Sequence, residues 1–259
     1  MNKLILSIGI ALGAVNSQAQ VVNIPDPLFK AALIAKGVDE NNDGQIQIEE
    51  AALVTTIDIG FYYSIKNLEG IQAFSNLSYL NCINIQITKL DVSKNLYLTY
   101  LDCSRTQIDL LDVSKNTGLT HLNCSYTQIS LLDVSKNTVL TFLDCSSSYF
   151  LTSLDVSQNI NLDYLNCYLD NVSTICINGD QLAKTSSAPL DWVKNPSSEW
   201  STSCGIITGI KEQEHLQTKK TLIRILTPLG QELQPEQATE GLFIYQYSDG
   251  STRKVMKQN

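Results

Sequence analysis

Charge, histidine and basic stretches are all in short supply in this chain, and each shortage removes a class of function. Charged residues are 17% of 259, below the usual quarter. Two histidines, His121 and His215, leave little material for imidazole catalysis or zinc, and no Ser-His-Asp set is visible. Eighteen basic residues against 26 acidic ones leave a net charge of −8. With no basic stretch outside the closing residues, nucleic acid and anionic membranes are poor partners. No phosphate loop, zinc spacing or C-x-x-C pair occurs. The longest apolar run, residues 4–15, falls short of the roughly twenty residues that cross a bilayer. Seven cysteines are too few for a small disulfide scaffold, and their number is odd.

What remains is acidic and globular. Hydrophobic residues at 43% of 259 can form a core, and the length predicts one or two compact units. The first nineteen residues read as a signal peptide: Lys3, the apolar run and then Ser17-Gln18-Ala19 at a cleavage position. Cleavage after Ala19 predicts a product exported across the inner membrane.

Alignment on cysteine exposes a repeat. Cys82, Cys103, Cys124, Cys145 and Cys167 are 21, 21, 21 and 22 residues apart, each closing an L-x-x-L-x-C phrase. About ten residues on comes a second phrase: ITKLDVSKN, IDLLDVSKN, ISLLDVSKN, LTSLDVSQN. Inward positions such as Leu98, Leu101, Cys103, Ile108, Leu111 and Val113 can be covered only by a neighbouring coil. Stacking at about 4.8 Å therefore predicts a continuous core beside a parallel β ladder. Both phrases alternate, so strand or extended structure is expected on two faces. The expected fold class is an α/β-type leucine-rich repeat solenoid, mostly β and extended. A helical N-terminal cap and a small antiparallel β C-terminal unit complete it. The second-phrase asparagines, Asn95, Asn116, Asn137 and Asn159, are expected to form a ladder on turn backbone.

These phrases resemble bacterial leucine-rich repeat surface proteins with recurring "LDVSKNT-LT-LDCS", over roughly residues 21–205. That resemblance implies recognition or adhesion at a cell surface. A second resemblance lies at the C-terminus, where "IRILTPLGQEL", "GLFIYQYSDG" and "KVMKQ" are similar to the sorting domain of the type IX secretion system. It covers about fifty residues, a shortened version, and implies passage across a Gram-negative outer membrane, then surface display or secretion. Asp249-Gly250 between alternating segments predicts a hairpin there. The expected division is a signal peptide (1–19), a helical cap with an EF-hand-like loop (20–53) and about six repeats (54–180). A C-terminal cap (181–208) and a linker with the sorting domain (209–259) follow.

Three sets of residues are candidates for chemistry. Residues 39–50, DENNDGQIQIEE, fit a calcium loop: Asp39, Asn41 and Asp43 offer oxygens, Gln45 a carbonyl and Glu50 a bidentate carboxylate, with Gly44 at the turn. The structural alternative is a turn that caps the first coil, and no cofactor is required. Cys176 and Cys204, at the end of the repeats near Trp192 and Trp200, are expected to form a disulfide closing a C-terminal cap. The ladder cysteines fill a leucine position instead. On the outer face of the first strand, Tyr79, Tyr100, His121, Phe142 and Tyr164 form a stripe flanked by Asp102 and Asp144. Such a stripe suits a protein or glycan partner. Catalysis finds no support. The expected function is a non-catalytic recognition or adhesion module, and the alternative is a structural surface component without a specific ligand.

Overall fold

The computed structural model describes residues 20–187 and 191–203, with the strands 222–226, 232–233, 241–247 and 252–257. The expected leader, 1–19, lies outside the described residues. The chain divides into two units, Met1–Cys204 and Gly205–Asn259.

The first unit begins with α1 (Pro27–Ala35) and α2 (Ile48–Leu53), then β1 (Thr56–Asp58), β2 (Tyr79–Asn81), β3 (Tyr100–Asp102) and β4 (His121–Asn123). It continues through β5 (Phe142–Asp144), β6 (Leu154–Asp155), β7 (Tyr164–Cys167) and β8 (Thr174–Cys176). It closes with α3 (Gly179–Ser187), β9 (Trp192–Lys194) and β10 (Glu199–Ser201). Each L-x-x-L-x-C phrase supplies one short strand, and β1-β2-β3-β4-β5-β7-β9 form a parallel sheet of seven strands. The central leucines, Leu80, Leu101, Leu122, Leu143 and Leu165, point inward and are fully buried. Strand alternation then turns the residues on either side outward. The register is in step throughout: Tyr79 pairs with Tyr100, His121 with Phe142, Leu101 with Leu122.

The second phrase is extended but mostly unpaired. Only its last copy is a strand, in the parallel sheet β10-β8-β6. In each copy the phrase ends in a turn: Ser93 N–H, Ser114 N–H and Ser135 N–H donate to the carboxylate two residues back, at 3.0, 2.9 and 2.9 Å. Ser157 N–H makes the same bond to Asp155 at 2.9 Å in the paired copy, so these Asx-type turns close the phrase without deciding its pairing.

Side chains carry the coil-to-coil bonds on this side. Asn116 Nδ2 donates to the Val92 and Asn95 carbonyls at 3.0 and 2.8 Å, and Asn137 Nδ2 to Val113 and Asn116 at 3.0 and 2.9 Å. Asn95 and Asn159 do the same one coil before and after. All four asparagines are fully buried. Gln181, at the start of α3, supplies the next rung, its Nε2 donating to Val156 and Asn159 at 2.9 and 2.8 Å. In the first phrase, Thr106 and Thr127 hydroxyls donate to the Cys103 and Cys124 carbonyls at 2.7 and 2.8 Å.

The core runs without a break from Phe29 and Leu33 of α1 to Trp192 of β9. Asp26 attaches the N-terminal cap. One carboxylate oxygen accepts the Leu28 and Phe29 N–H groups at 2.9 and 3.1 Å, capping α1. The other accepts Lys66 and Asn67 N–H at 2.8 and 3.0 Å, fastening the helix to the first coil. Partial burial works to raise this carboxyl's pKa, but the four donors hold it below its ordinary value. No helix among the described residues is long and apolar enough to cross a membrane.

The second unit is an antiparallel sheet in the order β12-β11-β13-β14. Its strands are β11 (Leu222–Leu226), β12 (Glu232–Leu233), β13 (Gly241–Tyr247) and β14 (Thr252–Lys257). β13 and β14 pair from Gly241–Lys257 to Gln246–Thr252; the Asp249-Gly250 turn lies outside the described residues.

Asn137→Ala removes two donors from buried carbonyls, each of which keeps one backbone partner. It is expected to lower unfolding free energy by about 2–3 kcal/mol. Urea denaturation of wild type and variant measures this.

Candidate functional site

The outward stripe of the parallel sheet forms one file. Tyr79, Tyr100, His121, Phe142 and Tyr164 stack in sequence with centroid spacings of 4.3, 4.2, 3.9 and 4.4 Å and interplanar angles of 12, 10, 11 and 4°. The coil repeat imposes this, because strand spacing and ring stacking distance nearly coincide. Each contact adds about 0.5–1.5 kcal/mol beyond area burial. The geometry also limits what the stripe can offer. Tyr100, His121 and Phe142 have both faces covered, so only their edges meet solvent. Tyr79 and Tyr164, at the ends, each stack on a ring on one side only.

Electrostatics follow from the stack. The Tyr100 phenol is pushed up to about 12 by burial, by the Asp102 carboxylate, by neighbouring Tyr79 and by Asp58. Tyr164 is raised by burial, Asp144 and Asp191, against a lowering hydrogen bond with Asn166. Burial lowers His121 more than Asp102 and Asp144 raise it, so at neutral pH the imidazole continues the file as an uncharged ring.

Two residues from the stripe lies an alternating column: Asn81, Asp102, Asn123, Asp144, Asn166. Asn123 Nδ2 reaches back to Asp102 Oδ2 at 3.2 Å, and Asn166 Nδ2 to Asp144 Oδ2 at 3.3 Å. The other carboxylate oxygen accepts the N–H and hydroxyl of Ser104 at 2.9 and 2.6 Å, or of Ser146 at 3.0 and 2.7 Å. Alternation puts an amide between each pair of charges. Asp102 and Asp144 therefore serve mainly to order the face.

Beyond the file, the structure adds a rim that sequence reasoning missed. Phe61, Asn84, Arg105, Tyr126 and Ser147 occupy one column, all in the left-handed region with φ of 65, 59, 56, 56 and 56°. Asparagine suits this conformation, whereas bulky residues there cost about 1–2 kcal/mol. Phe61, Arg105 and Tyr126 are exposed, and the Arg105 guanidinium lies 4.4 Å from the Tyr126 ring centre. No glycine or asparagine marks this position in CSRT and CSYT, so no sequence signal pointed to it.

The structure brings the calcium-loop residues together around the loop's own amides. Asp39 accepts Asp43 N–H at 3.2 Å and Gly44 N–H at 2.9 Å; Asn41 Oδ1 accepts Asp43 N–H at 2.8 Å, and Asp43 Oδ1 accepts Gln45 N–H at 2.7 Å. Glu50 accepts Glu40 and Asn41 N–H on one oxygen and Gln47 N–H on the other, at 2.9, 3.2 and 2.9 Å. The Gln45 side chain takes the Lys30 ammonium at 2.7 Å. The turn is thus held by protein donors alone, and a cation would use the remaining lone pairs of the same oxygens.

The five ladder cysteines are buried and free. Burial raises their thiols well above the ordinary range. Cys82 Sγ donates to the Asp102 carbonyl at 3.3 Å and Cys167 Sγ to Val193 at 3.3 Å. Among the described residues no three acidic, histidine or cysteine side chains converge as a metal-holding group, so a cation at 39–50 would draw on amide and backbone oxygens beside the carboxylates. Cys176 is disulfide-bonded, whereas Cys204 lies outside the described residues.

In-step register, inward leucines, an asparagine ladder and a cysteine ladder decide the architecture. The chain folds as a leucine-rich repeat solenoid. Solved structures agree: the functional domain of InlJ from Listeria monocytogenes, described as including a cysteine ladder, matches with a TM-score of 0.54 and 34% identity. The match covers 61% of this chain and 38% of that one. The internalin InlF from Listeria monocytogenes matches with a TM-score of 0.51 and 20% identity, over 63% of this chain and 53% of that one. The chain therefore spans less than two thirds of either neighbour. No family model and no curated protein matches it.

Proposed function

We propose that this protein is an exported, non-catalytic recognition module that binds a protein partner across the face of its parallel sheet. The observation that carries this reading is the continuous five-ring file, edged by an ordered Asn/Asp column and an exposed Arg105–Tyr126 rim. Interface anchors are typically aromatic residues and arginine, with neighbours fixed in place. A protein is a better fit than a glycan, because a sugar stacks on ring faces and the file covers the faces of its inner members. The likeness to surface-type repeat proteins supports the same reading. The stacking itself favours a second one, a structural surface component in which the file only holds coils together.

Tyr100→Ala with Phe142→Ala separates the two. A recognition face predicts at least a tenfold weaker affinity for a protein captured from the surrounding secretions, and no signal on a glycan array. Retained affinity in a variant shown to be folded would favour the structural reading.

The export route rests on the leader and on the resemblance of residues 209–259 to a sorting domain. Cells expressing the chain without residues 209–259 are expected to retain it in the periplasm, while the full chain reaches the surface or medium. Fractionation and immunoblotting measure this.

The loop at 39–50 is proposed to bind calcium as well as to cap the first coil. Calorimetry with millimolar calcium is expected to show binding heat and a raised Tm in wild type, both absent in Asp43→Ala. Absence of heat in wild type leaves capping as its whole role.

A further inference from the structure

The aromatic file has an open N-terminal end. The in-step partner of Tyr79 on β1 is Thr56, a short side chain where every following coil to β7 carries a ring. Thr56 and Asp58 are both exposed and share the outward face of β1, with Ile57 buried between them. Among the described residues, therefore, no ring from β1 stacks on the outer side of Tyr79.

The acidic column is also incomplete at this end. Asn123 and Asn166 each donate to the carboxylate of the preceding coil. By register, Asn81 stands in the same relation to Asp58, yet no such bond forms. Asn81 Oδ1 accepts Ile83 N–H at 3.1 Å, and Asp58 Oδ1 accepts Gly60 N–H at 3.2 Å. Gly60 packs closely here: a Cβ on it would stand 2.6 Å from Ile83 Cγ2 and 3.1 Å from Asn81 Nδ2. Among the described residues the second oxygen of Asp58 has no hydrogen bond, and the ion pair Lys184–Asp163 lies elsewhere.

A free aromatic face beside an exposed carboxylate selects for a planar cation. A guanidinium can lie flat on the ring at stacking distance while its edge donates two parallel hydrogen bonds to a carboxylate. An ammonium, a compact point charge, satisfies only part of that arrangement. The protein itself uses the stacking half at its rim, where Arg105 covers Tyr126 at 4.4 Å. The net charge of −8 favours approach of a cationic segment.

We propose that the slot bounded by Tyr79, Thr56 and Asp58 receives an arginine side chain of the protein partner. The guanidinium stacks on Tyr79 and is hydrogen-bonded to Asp58. This rests on the sheet face being the binding face and names the chemistry at one end of it. The slot anchors the partner at the N-terminal end of the file; at the other end Tyr164 lies close to Asp191 instead.

The test is an amide-resolved NMR titration of the full chain with N-acetyl-arginine-N-methylamide, and separately with the lysine counterpart. Saturable shifts are expected at Thr56, Ile57, Asp58 and Tyr79, with roughly threefold weaker binding of the lysine compound. Thr56→Tyr extends the file with the protein's own ring and is expected to abolish the shifts, and Asp58→Asn to weaken binding by a similar factor. Thr56→Val, which leaves the place open, should bind as wild type and controls for folding. No saturation in wild type, equal response to lysine, or unchanged binding in Thr56→Tyr or Asp58→Asn overturns the slot. The outcome is separable from the wider reading: loss of partner binding in Tyr100→Ala/Phe142→Ala with no arginine response leaves the face in place and removes only the slot.

Discussion

Every part of the solenoid answers to one constraint: each residue sits at strand spacing from its own counterpart in the next coil. Apolar columns satisfy this without adjustment, and Leu80, Leu101, Leu122, Leu143 and Leu165 simply close the core. Polar columns must provide their own partners. The asparagine ladder does so on its donor side, where one amide group donates twice to two carbonyls of the coil before it, while its four Oδ1 atoms are buried without a partner. Hydroxyls at Thr106 and Thr127 need only the carbonyl three residues back. Charge is the hardest case. Adjacent carboxylates at coil spacing repel by about 0.9 kcal/mol even in water, and the Asn/Asp alternation replaces that repulsion with a hydrogen bond.

The same constraint shapes the outward face proposed to meet a partner. An aromatic column at this spacing becomes a stack, which stiffens the sheet and hides most of its ring faces. What such a face can offer a partner is then ring edges, the rim and the ends of the file. The ends are where the repeat breaks, so they carry chemistry that the middle cannot. The caps follow a similar logic. Asp26 joins α1 to the first coil with one carboxylate, and Gln181 ends the asparagine ladder with a side chain of the same chemistry, one methylene longer.

Much of this was legible from spacing alone. Cys82 to Cys167 gave the period, and a period with inward leucines implies parallel coils in register. The stripe residues were visible because they hold one position in five near-identical phrases. Legibility failed where the phrase changed. The first coil has Ile59 where later ones have cysteine, so Thr56 and Asp58 were not aligned with Tyr79 and Asn81 until backbone pairing placed them. Gln181 lies in a segment with no repeat, and its amide reaches the ladder only through α3. The rim at Arg105 and Tyr126 was hidden because positive φ is a backbone property, imposed by the turn, that these residue types do not announce.

By itself the sequence determined the solenoid, its number of coils to within about one, the inward and outward columns and the buried character of the ladder cysteines. These depend on periodicity, and periodicity is a one-dimensional property. Only the tertiary structure decided that the rings stack face to face and that Asp102 pairs with Asn123. It alone showed that the carboxylates of residues 39–50 are held by backbone N–H groups and that the file ends beside Asp58. Those outcomes depend on distances of a few ångströms between residues some twenty positions apart. Spacing brings such residues near each other, but side-chain geometry decides which of them bond.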